Sequence, residues 1–221
     1  MAAKRLSKDK RALILAALAE GMPVNAVCRM FKAGKHAVLR VITETGAACE
    51  NWHNLHVKGI EVDRLELDEQ WAYVHTHKER MTKEEKMNYP DRGDCWLWAA
   101  LEPESKMIVQ WTIGKRTAKA ANRFAGTLAM RVNGRLQITS DKLNSYESAI
   151  LAAFGDRVDY AQEHKIFENA NVPAHEWNRY RTNPLVGVDR QAISGNPNLR
   201  TATICHTERF FLTTRQENKR Y

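Results

Sequence analysis

The second part of the sequence alternates strand patterns with helix patterns, and this order constrains the fold more than any other feature. Three strand patterns come first, at 64–74, 95–101 and 108–113. The short link between the last two predicts an antiparallel pair. Helix, strand, helix and short strand follow at 117–131, 136–140, 145–154 and 157–161. Strands interleaved with helices predict a mixed α/β layer fold.

The end of the chain has a different pattern. Residues 163–200 contain prolines and glycines, including Pro173, Pro184 and Gly195, and predict an irregular insertion. A final helix is predicted from about His206 to the end of the sequence.

Three helix patterns occupy the N-terminus, at 8–20, 24–31 and about 35–49. Two short helices joined by a tight turn containing a glycine, here Gly34, are typical of a helix-turn-helix. We therefore predict a DNA-binding helix-turn-helix domain over residues 1–50 and a linker over 51–63. In this arrangement the third helix enters the major groove, and Lys35, His36 and Arg40 would face DNA.

The distribution of charge supports a nucleic-acid partner. The formal net charge is +8, and residues 1–40 hold nine lysines and arginines against two acidic residues. Concentrated positive charge suits binding to a phosphate backbone. No apolar run approaches the roughly 20 residues that span a bilayer. The four cysteines contain no C-x-x-C pair, so we expect reduced thiols in a cytoplasmic protein.

Three acidic residues stand out by position. Asp68 lies in a strand whose alternation places it on the opposite face from Leu67 and Glu69, so Glu69 is not a first-choice ligand. Asp141 directly follows the strand at 136–140, and Glu208 lies in the final helix. Carboxylates bind hard divalent cations, and two such ions about 4 Å apart promote phosphodiester cleavage. Spacing alone proves little, because aspartate at a strand end is often a turn residue.

The surrounding sequence is more specific. The segments LDEQWAYV, ITSDKLNSY and GNPNLRTATICHTERFFLTTRQENKRY, together with the N-terminal helix-turn-helix pattern, resemble DDE transposases of small bacterial insertion sequences, of the insertion-sequence-one type. The resemblance covers nearly the whole chain. It implies a helix-turn-helix followed by a ribonuclease-H-like mixed-sheet domain over 64–221.

The resemblance also implies a set of site residues. Asp68, Asp141 and Glu208 would be the catalytic residues and would hold two Mg²⁺ or Mn²⁺ ions. Arg209 and Arg215 on the final helix would contact DNA phosphate, and Phe211 and Leu212 would anchor that helix to the sheet. The implied activity is cleavage and strand transfer of an insertion sequence. The implied partners are double-stranded DNA, at element ends and target, and further copies of the chain on DNA, near the bacterial nucleoid.

Departures from the family pattern leave alternatives open. Lys142 stands where the family usually has glycine, and Phe211 stands where it more often has asparagine. The sequence ends at Tyr221 inside the helix pattern, so we expect a C-terminally truncated copy. An inactive remnant that only binds DNA is therefore the second hypothesis. A junction resolvase of the same fold is a third, although it would not need the helix-turn-helix.

Overall fold

The computed structural model describes residues 6–168 and 184–218. The chain divides into two compact units, each of which is described by itself. The first comprises Met1–Gly59, Ala72–Asp94 and Glu208–Tyr221, and the second comprises Ile60–Trp71 and Cys95–Thr207. The described helices include none that is both long and apolar enough to cross a bilayer.

The N-terminus forms the three predicted helices: α1 (Lys8–Ala19), α2 (Val24–Met30) and α3 (Lys35–His56). Ser7 caps α1 by accepting a hydrogen bond from the Lys10 amide. The helices enclose a small apolar core whose fully buried members include Ile14, Val27 and Val38. The periodic apolar residues read from the sequence therefore do face one another.

Helix α3 is longer than predicted. It continues beyond Cys49 to His56, into the segment predicted as a linker. The rings of Trp52 and His56 stack one helical turn apart, with centroids separated by 4.4 Å, and His56 Nδ1 lies 2.7 Å from the Trp52 carbonyl oxygen. Neighbouring side chains at this spacing stabilise a helix. The sequence after Cys49 is too polar to show a helix pattern, so this part of α3 was not predicted.

Residues 75–93 contain a 3₁₀ turn (Lys78–Arg80) and the short helix α4 (Lys83–Asn88). A reciprocal capping box starts α4. The Thr82 hydroxyl accepts from the Glu85 amide, and the Glu85 carboxylate accepts from the Thr82 amide.

A six-stranded mixed sheet has the order β4-β3-β2-β6-β7-β8. Its strands are β2 (Arg64–Val74), β3 (Gly93–Leu101), β4 (Ile108–Gly114), β6 (Leu136–Ser140), β7 (Val158–Phe167) and β8 (Leu185–Ser194). Two further strands, β1 (Ile60–Glu61) and β5 (Val132–Asn133), pair separately. β3 and β4 are antiparallel as predicted, whereas β6 pairs in parallel with both β2 and β7. The mixed α/β class is confirmed.

Helices α5 (Ala118–Arg131) and α6 (Asn144–Phe154) contribute to the core of the sheet unit. Trp98 of β3 is fully buried, with its ring 5.9 Å from Phe124 of α5 and 5.6 Å from Tyr146 of α6. These aromatic contacts tie both helices to the sheet. They place Trp98 in the core of this unit.

The structure differs from the irregular insertion predicted over 163–200. β7 continues to Phe167, and β8 forms an antiparallel edge strand beside it. The backbone ladder between β7 and β8 supplies long-range pairing that local composition does not reveal. Pro184 precedes β8, where it removes no ladder hydrogen bond. The part of the predicted insertion over 169–183, with Pro173, lies outside the described residues.

A charged clamp fastens the start of β7 to the chain after β8. Arg135 donates two hydrogen bonds to Asp159, of 2.6 and 2.8 Å, and Asp159 also accepts from the Asn196 amide at 2.6 Å. These bonds lower the pKa of Asp159 to about 2. Gly195 has φ +68°, and a Cβ there would lie 2.3 Å from Asp159 Oδ1, so only glycine fits this turn.

Asp159→Asn tests this clamp. The native carboxylate has a depressed pKa, so its stabilisation is present above pH 4 and is lost as pH falls toward 2. Because the Arg135 side chain is half exposed, we expect a loss of only about 1 kcal/mol at pH 7. Urea unfolding at pH 7 and pH 3 measures the difference in unfolding free energy between the wild type and the variant. This difference should be smaller at pH 3 than at pH 7. Asp156→Asn is the control, since it keeps the backbone carbonyl of residue 156 to which Arg135 donates a hydrogen bond. Equal effects of the two variants would contradict the account.

Candidate metal centre

The parallel pairing of β2 with β6 brings two aspartates together. The register pairs Leu65 with Ile138 and ends with Leu67 opposite Ser140. Asp68 and Asp141 are the next residues of the two strands. Adjacent parallel strands lie about 4.8 Å apart, so residues at equivalent positions are neighbours. The spacing of 73 residues in sequence therefore becomes direct adjacency at one end of the β2–β6 ladder.

A third carboxylate joins the pair. One ligand oxygen each from Asp68, Glu69 and Asp141 lies within 4.8 Å of the others. Asp68 Oδ1 accepts from the Glu69 amide at 2.8 Å, and Asp141 Oδ1 accepts from the Leu143 amide at 3.1 Å. These backbone bonds orient both aspartates.

Glu69 corrects the prediction made from strand alternation. We expected its side chain on the face opposite Asp68, yet its carboxylate belongs to the same cluster. Glu69 lies within β2, two residues beyond the last β2–β6 pair of Leu67 with Ser140. Glutamate also reaches one methylene further than aspartate. The Glu69 side chain is only 1% exposed.

Arg116 bridges two of the carboxylates. Its guanidinium lies 3.1 Å from Glu69 Oε2 and 3.3 Å from Asp141 Oδ2. The arginine follows β4 and stands directly before Thr117, which caps α5. Its side chain is 38% exposed, so one side remains open to solvent. Arg116 thus supplies positive charge to a cluster that would otherwise repel itself.

Burial changes the protonation of this cluster. Burial and the neighbouring Asp141 raise the pKa of Glu69 to about 7, against the opposing effects of Tyr146 and Arg116. Burial also raises the pKa of Asp141, and the Leu143 amide and Arg116 counteract it. The pKa of the fully buried Tyr146 hydroxyl is raised, first by burial and then by Glu69. Concentrated carboxylates in a partly dry site hold protons that a cation would displace.

The donor set fits a divalent metal ion. Glu69 Oε1 and the Tyr146 hydroxyl are both buried and lack a partner in ideal hydrogen-bond geometry, but they lie close enough for the hydroxyl to lower the pKa of Glu69. Three carboxylates this close together in a partly dry site favour a bound cation, which would neutralise their charge. Hard oxygen donors suit Mg²⁺ and Mn²⁺. Asp68, Glu69 and Asp141 could therefore hold such an ion.

The other residues predicted for the site lie on helix α7 (Cys205–Glu217). Glu208 is in the first turn of this helix, and Arg209 and Arg215 are exposed. Phe211 is buried, at 4% exposed, whereas Leu212 is 43% exposed and is not a buried anchor. The helix presents Phe211 inward, so the next residue along turns toward solvent. The contribution of Glu208 to metal binding stays a prediction.

The residues predicted to face DNA lie near the start of α3. Lys35, His36 and Arg40 are all exposed. Val38 and Val41, between and beside them, are buried in the helical core. The third helix therefore has an apolar inner face and a basic outer face, as the sequence predicts. Contact with DNA stays a prediction.

Two members of the cluster were missed in the sequence. Glu69 was set aside by strand phase, and Arg116 carries no motif that distinguishes it from other surface arginines. Only its position after β4 could have drawn attention, because loops at strand ends carry site residues in α/β folds.

Comparisons with known proteins give little further identification. No family model matches the sequence, and no curated protein matches it. Among solved structures, the chain is similar to a piggyBac transposase in a synaptic complex with hairpin DNA, at 13% identity and a TM-score of 0.37. The match covers 79% of this chain and 44% of that transposase.

Glu69→Gln tests the electrostatics of the cluster in metal-free protein. A raised pKa keeps Glu69 protonated in the folded state while the unfolded chain ionises, so stability is full below pH 4.5 and falls as pH rises through about 7. Between these pH values the ionisation of Glu69 should lower the unfolding free energy of the wild type by about 3 kcal/mol. The variant, which has no ionisable group at this position, should lack this decrease. Urea unfolding in EDTA at pH 5 and pH 7.5 measures it. Glu147→Gln, at an exposed glutamate of α6, is the control. An unchanged pH dependence in Glu69→Gln would refute the assignment.

Proposed function

We propose that this chain is a transposase of the insertion-sequence-one type that cleaves DNA and transfers strands with divalent metal ions. The observation that carries the proposal is the adjacency of Asp68 and Asp141 at the end of the β2–β6 ladder, with Glu69 completing a three-carboxylate cluster. These two aspartates are the ones that the sequence resemblance selects. A generic strand-end turn residue would not require a second carboxylate at the equivalent position of the neighbouring strand.

The order of elements supports the ribonuclease-H-like fold that the resemblance implies. Antiparallel β3 and β4 lie on one side of β2, and the parallel strands β6 and β7 lie on the other. The connection from β6 to β7 is the helix α6. In this fold acidic residues gather at one side of the sheet, which is where the Asp68–Asp141 cluster would act.

Each side chain has a chemical role in the proposed reaction. Asp68 and Asp141 supply ligand oxygens, and Glu69 adds a buried carboxylate that loses its proton when a cation binds. When bound there, divalent metal ions would activate the attacking oxygen and neutralise charge on the leaving oxygen. Water would first attack a phosphodiester at the end of the element and so free a 3′ hydroxyl. That hydroxyl would then attack a phosphodiester of the target DNA and displace its 3′ oxygen. We propose Glu208 as the third catalytic carboxylate.

Arg116 would change partners during this sequence. Arg116 pairs with Glu69 and Asp141 in the structure. A divalent cation bound to those carboxylates would neutralise the negative charge that attracts the guanidinium. A guanidinium released beside the site is well suited to bind a DNA phosphate through paired hydrogen bonds. Arg116 would then help to position the scissile strand.

The N-terminal helices would hold the element ends. Exposed Lys35, His36 and Arg40 lie on one helix of a basic module, which is the footprint of a major-groove reader. We propose that Arg209 and Arg215 add phosphate contacts and that the protein acts as an oligomer on paired DNA ends. The bacterial cytoplasm, at the nucleoid, is where this substrate would be found.

Two of the three departures that favoured an inactive remnant have structural explanations. Lys142 is exposed, and the cation paired with Asp141 is Arg116. Phe211 is buried and packs against Phe210, with ring centroids 5.5 Å apart, so an apolar residue suits that position. Neither substitution removes a carboxylate of the cluster.

Strand transfer with oligonucleotides that carry the element ends tests the proposed activity. With Mg²⁺ or Mn²⁺ the wild type should join the ends to target DNA. Asp68→Asn and Asp141→Asn should each lower the rate at least about a hundredfold, since each removes a metal ligand. Asp156→Asn is the control at an exposed aspartate. Activity in EDTA, or wild-type rates in Asp68→Asn, would exclude the mechanism.

DNA binding by α3 is tested separately. We expect Lys35→Ala with Arg40→Ala to weaken binding to duplex DNA about tenfold at moderate salt. The slope of log K against log salt should become less steep by about two, one for each lost phosphate contact. The matched control is Lys83→Ala with Lys86→Ala on α4, which removes the same charge elsewhere. Fluorescence anisotropy across a salt series provides the measurement. If both double variants weaken binding equally, α3 is not the DNA-reading helix.

A further inference from the structure

A buried glutamate that has no part in the proposed chemistry contacts the start of α7. Glu66 of β2 is 2% exposed. Its Oε2 accepts from the backbone amides of His206 at 2.8 Å and Thr207 at 3.2 Å. Its Oε1 lies 2.6 Å from His206 Nδ1, which must donate to the acceptor-only carboxylate. The Thr207 hydroxyl also donates to the Glu66 carbonyl oxygen at 3.2 Å.

These bonds form a helix cap supplied from a distant strand. The first amides of a helix have no partner inside it and carry partial positive charge. Thr203 accepts from the Cys205 amide, and Glu66 accepts from the next two. A cap is normally a residue just before the helix, whereas Glu66 precedes Thr207 by 141 residues. The cap therefore also fastens α7 to β2.

The two ends of this link are next to proposed ligands along the chain. Glu66 stands two residues before Asp68, and Thr207 directly precedes Glu208. A side chain in the first turn of a helix can project in a fixed direction only if that turn is itself fixed. The bonds to Glu66 fix it to the same strand that carries Asp68.

We propose that Glu66 is a positioning residue that caps α7 and fixes its first turn, the turn that carries Glu208. This inference rests on the proposed function for the role of Glu208. Glu66 itself binds neither metal nor DNA. His206 assists through Nδ1, and Thr207, which is fully buried, locks the turn through its hydroxyl.

The neighbouring Cys205 raises the possibility of a metal site in place of a cap. One ligand atom each from Glu66, Cys205 and His206 lies within 4.8 Å of the others. The carboxylate oxygens are already engaged, however, by two amides and the imidazole. A zinc ion would have to displace the 2.6 Å bond to Nδ1. The geometry therefore favours the cap, and zinc binding becomes an outcome of the test.

Glu66→Ala and Glu66→Gln separate positioning from folding. Glutamine keeps an oxygen that accepts from the two backbone amides. Its side-chain NH₂ can also donate to His206 Nδ1 when the imidazole carries its proton on Nε2. Alanine can form neither of these bonds. Glu102→Ala is the matched control. Glu102 is also buried and accepts from two backbone amides, those of Glu104 and Ser105, but in the turn between β3 and β4.

The first readout needs no activity. Hydrogen exchange of the His206 and Thr207 amides should speed up at least about tenfold in Glu66→Ala, the loss expected for charge-assisted bonds. Exchange should stay near wild type in Glu66→Gln and in Glu102→Ala. Unchanged exchange in a folded Glu66→Ala protein would overturn the cap. If Glu66→Ala does not fold, accelerated exchange in Glu66→Gln would overturn the claim that an acceptor suffices.

The second readout is Mn²⁺ affinity by calorimetry together with strand-transfer kinetics. Glu66→Ala should weaken Mn²⁺ binding and lower kcat with little change in KM for DNA, and Glu66→Gln should restore both. Equal losses in Glu66→Ala and Glu102→Ala would mean a general effect on folding and would overturn positioning. Zn²⁺ binding lost in Glu66→Ala would also overturn it. If the wild-type protein shows no strand transfer, the proposed function is wrong. The cap is still tested in that case by hydrogen exchange and by Mn²⁺ affinity.

Discussion

The parallel ladder between β2 and β6 is the interaction on which the rest of the site depends. Four consecutive residue pairs fix the register from Arg64–Gln137 to Leu67–Ser140. A slip of one residue would turn every side chain of β2 to the other face. Buried Leu65 and Leu67 resist such a slip because it would place the charged Glu66 in their apolar surroundings. The same apolar contacts that stabilise the sheet therefore determine that Asp68 and Asp141 meet.

Burial gives the carboxylates their chemistry. Three acidic side chains at short range in a partly dry environment repel one another, and Arg116 offsets this repulsion only in part, as the raised pKa values of Glu69 and Asp141 show. A fold that holds such a cluster together favours the binding of a divalent cation, because the cation relieves the repulsion between the carboxylates. The pKa of Glu69, raised to about 7, is the clearest sign of this demand.

Sequence patterns predicted much of this arrangement but not its connections. Apolar periodicity located the three N-terminal helices, the central strands and Trp98, because local patterns reflect burial directly. The pairing of β8 with β7 and the membership of Glu69 and Arg116 escaped prediction, since each depends on contacts between residues far apart in sequence. Strand alternation argued against Glu69, because it predicts the face on which a side chain starts and not how far that side chain reaches. The cap by Glu66, 140 residues from His206, could not have been read from any local motif.

Anomalous scattering from Mn²⁺ soaked into crystals of the protein tests the central claim most directly. The account predicts a peak about 2.2 Å from carboxylate oxygens of both Asp68 and Asp141, the distance expected for an oxygen-ligated ion of this size. The salt bridges of Arg116 to Glu69 and Asp141 should be broken in the same crystals. A peak confined to Glu66, Cys205 and His206, or no peak at the aspartates at saturating Mn²⁺, would contradict the account.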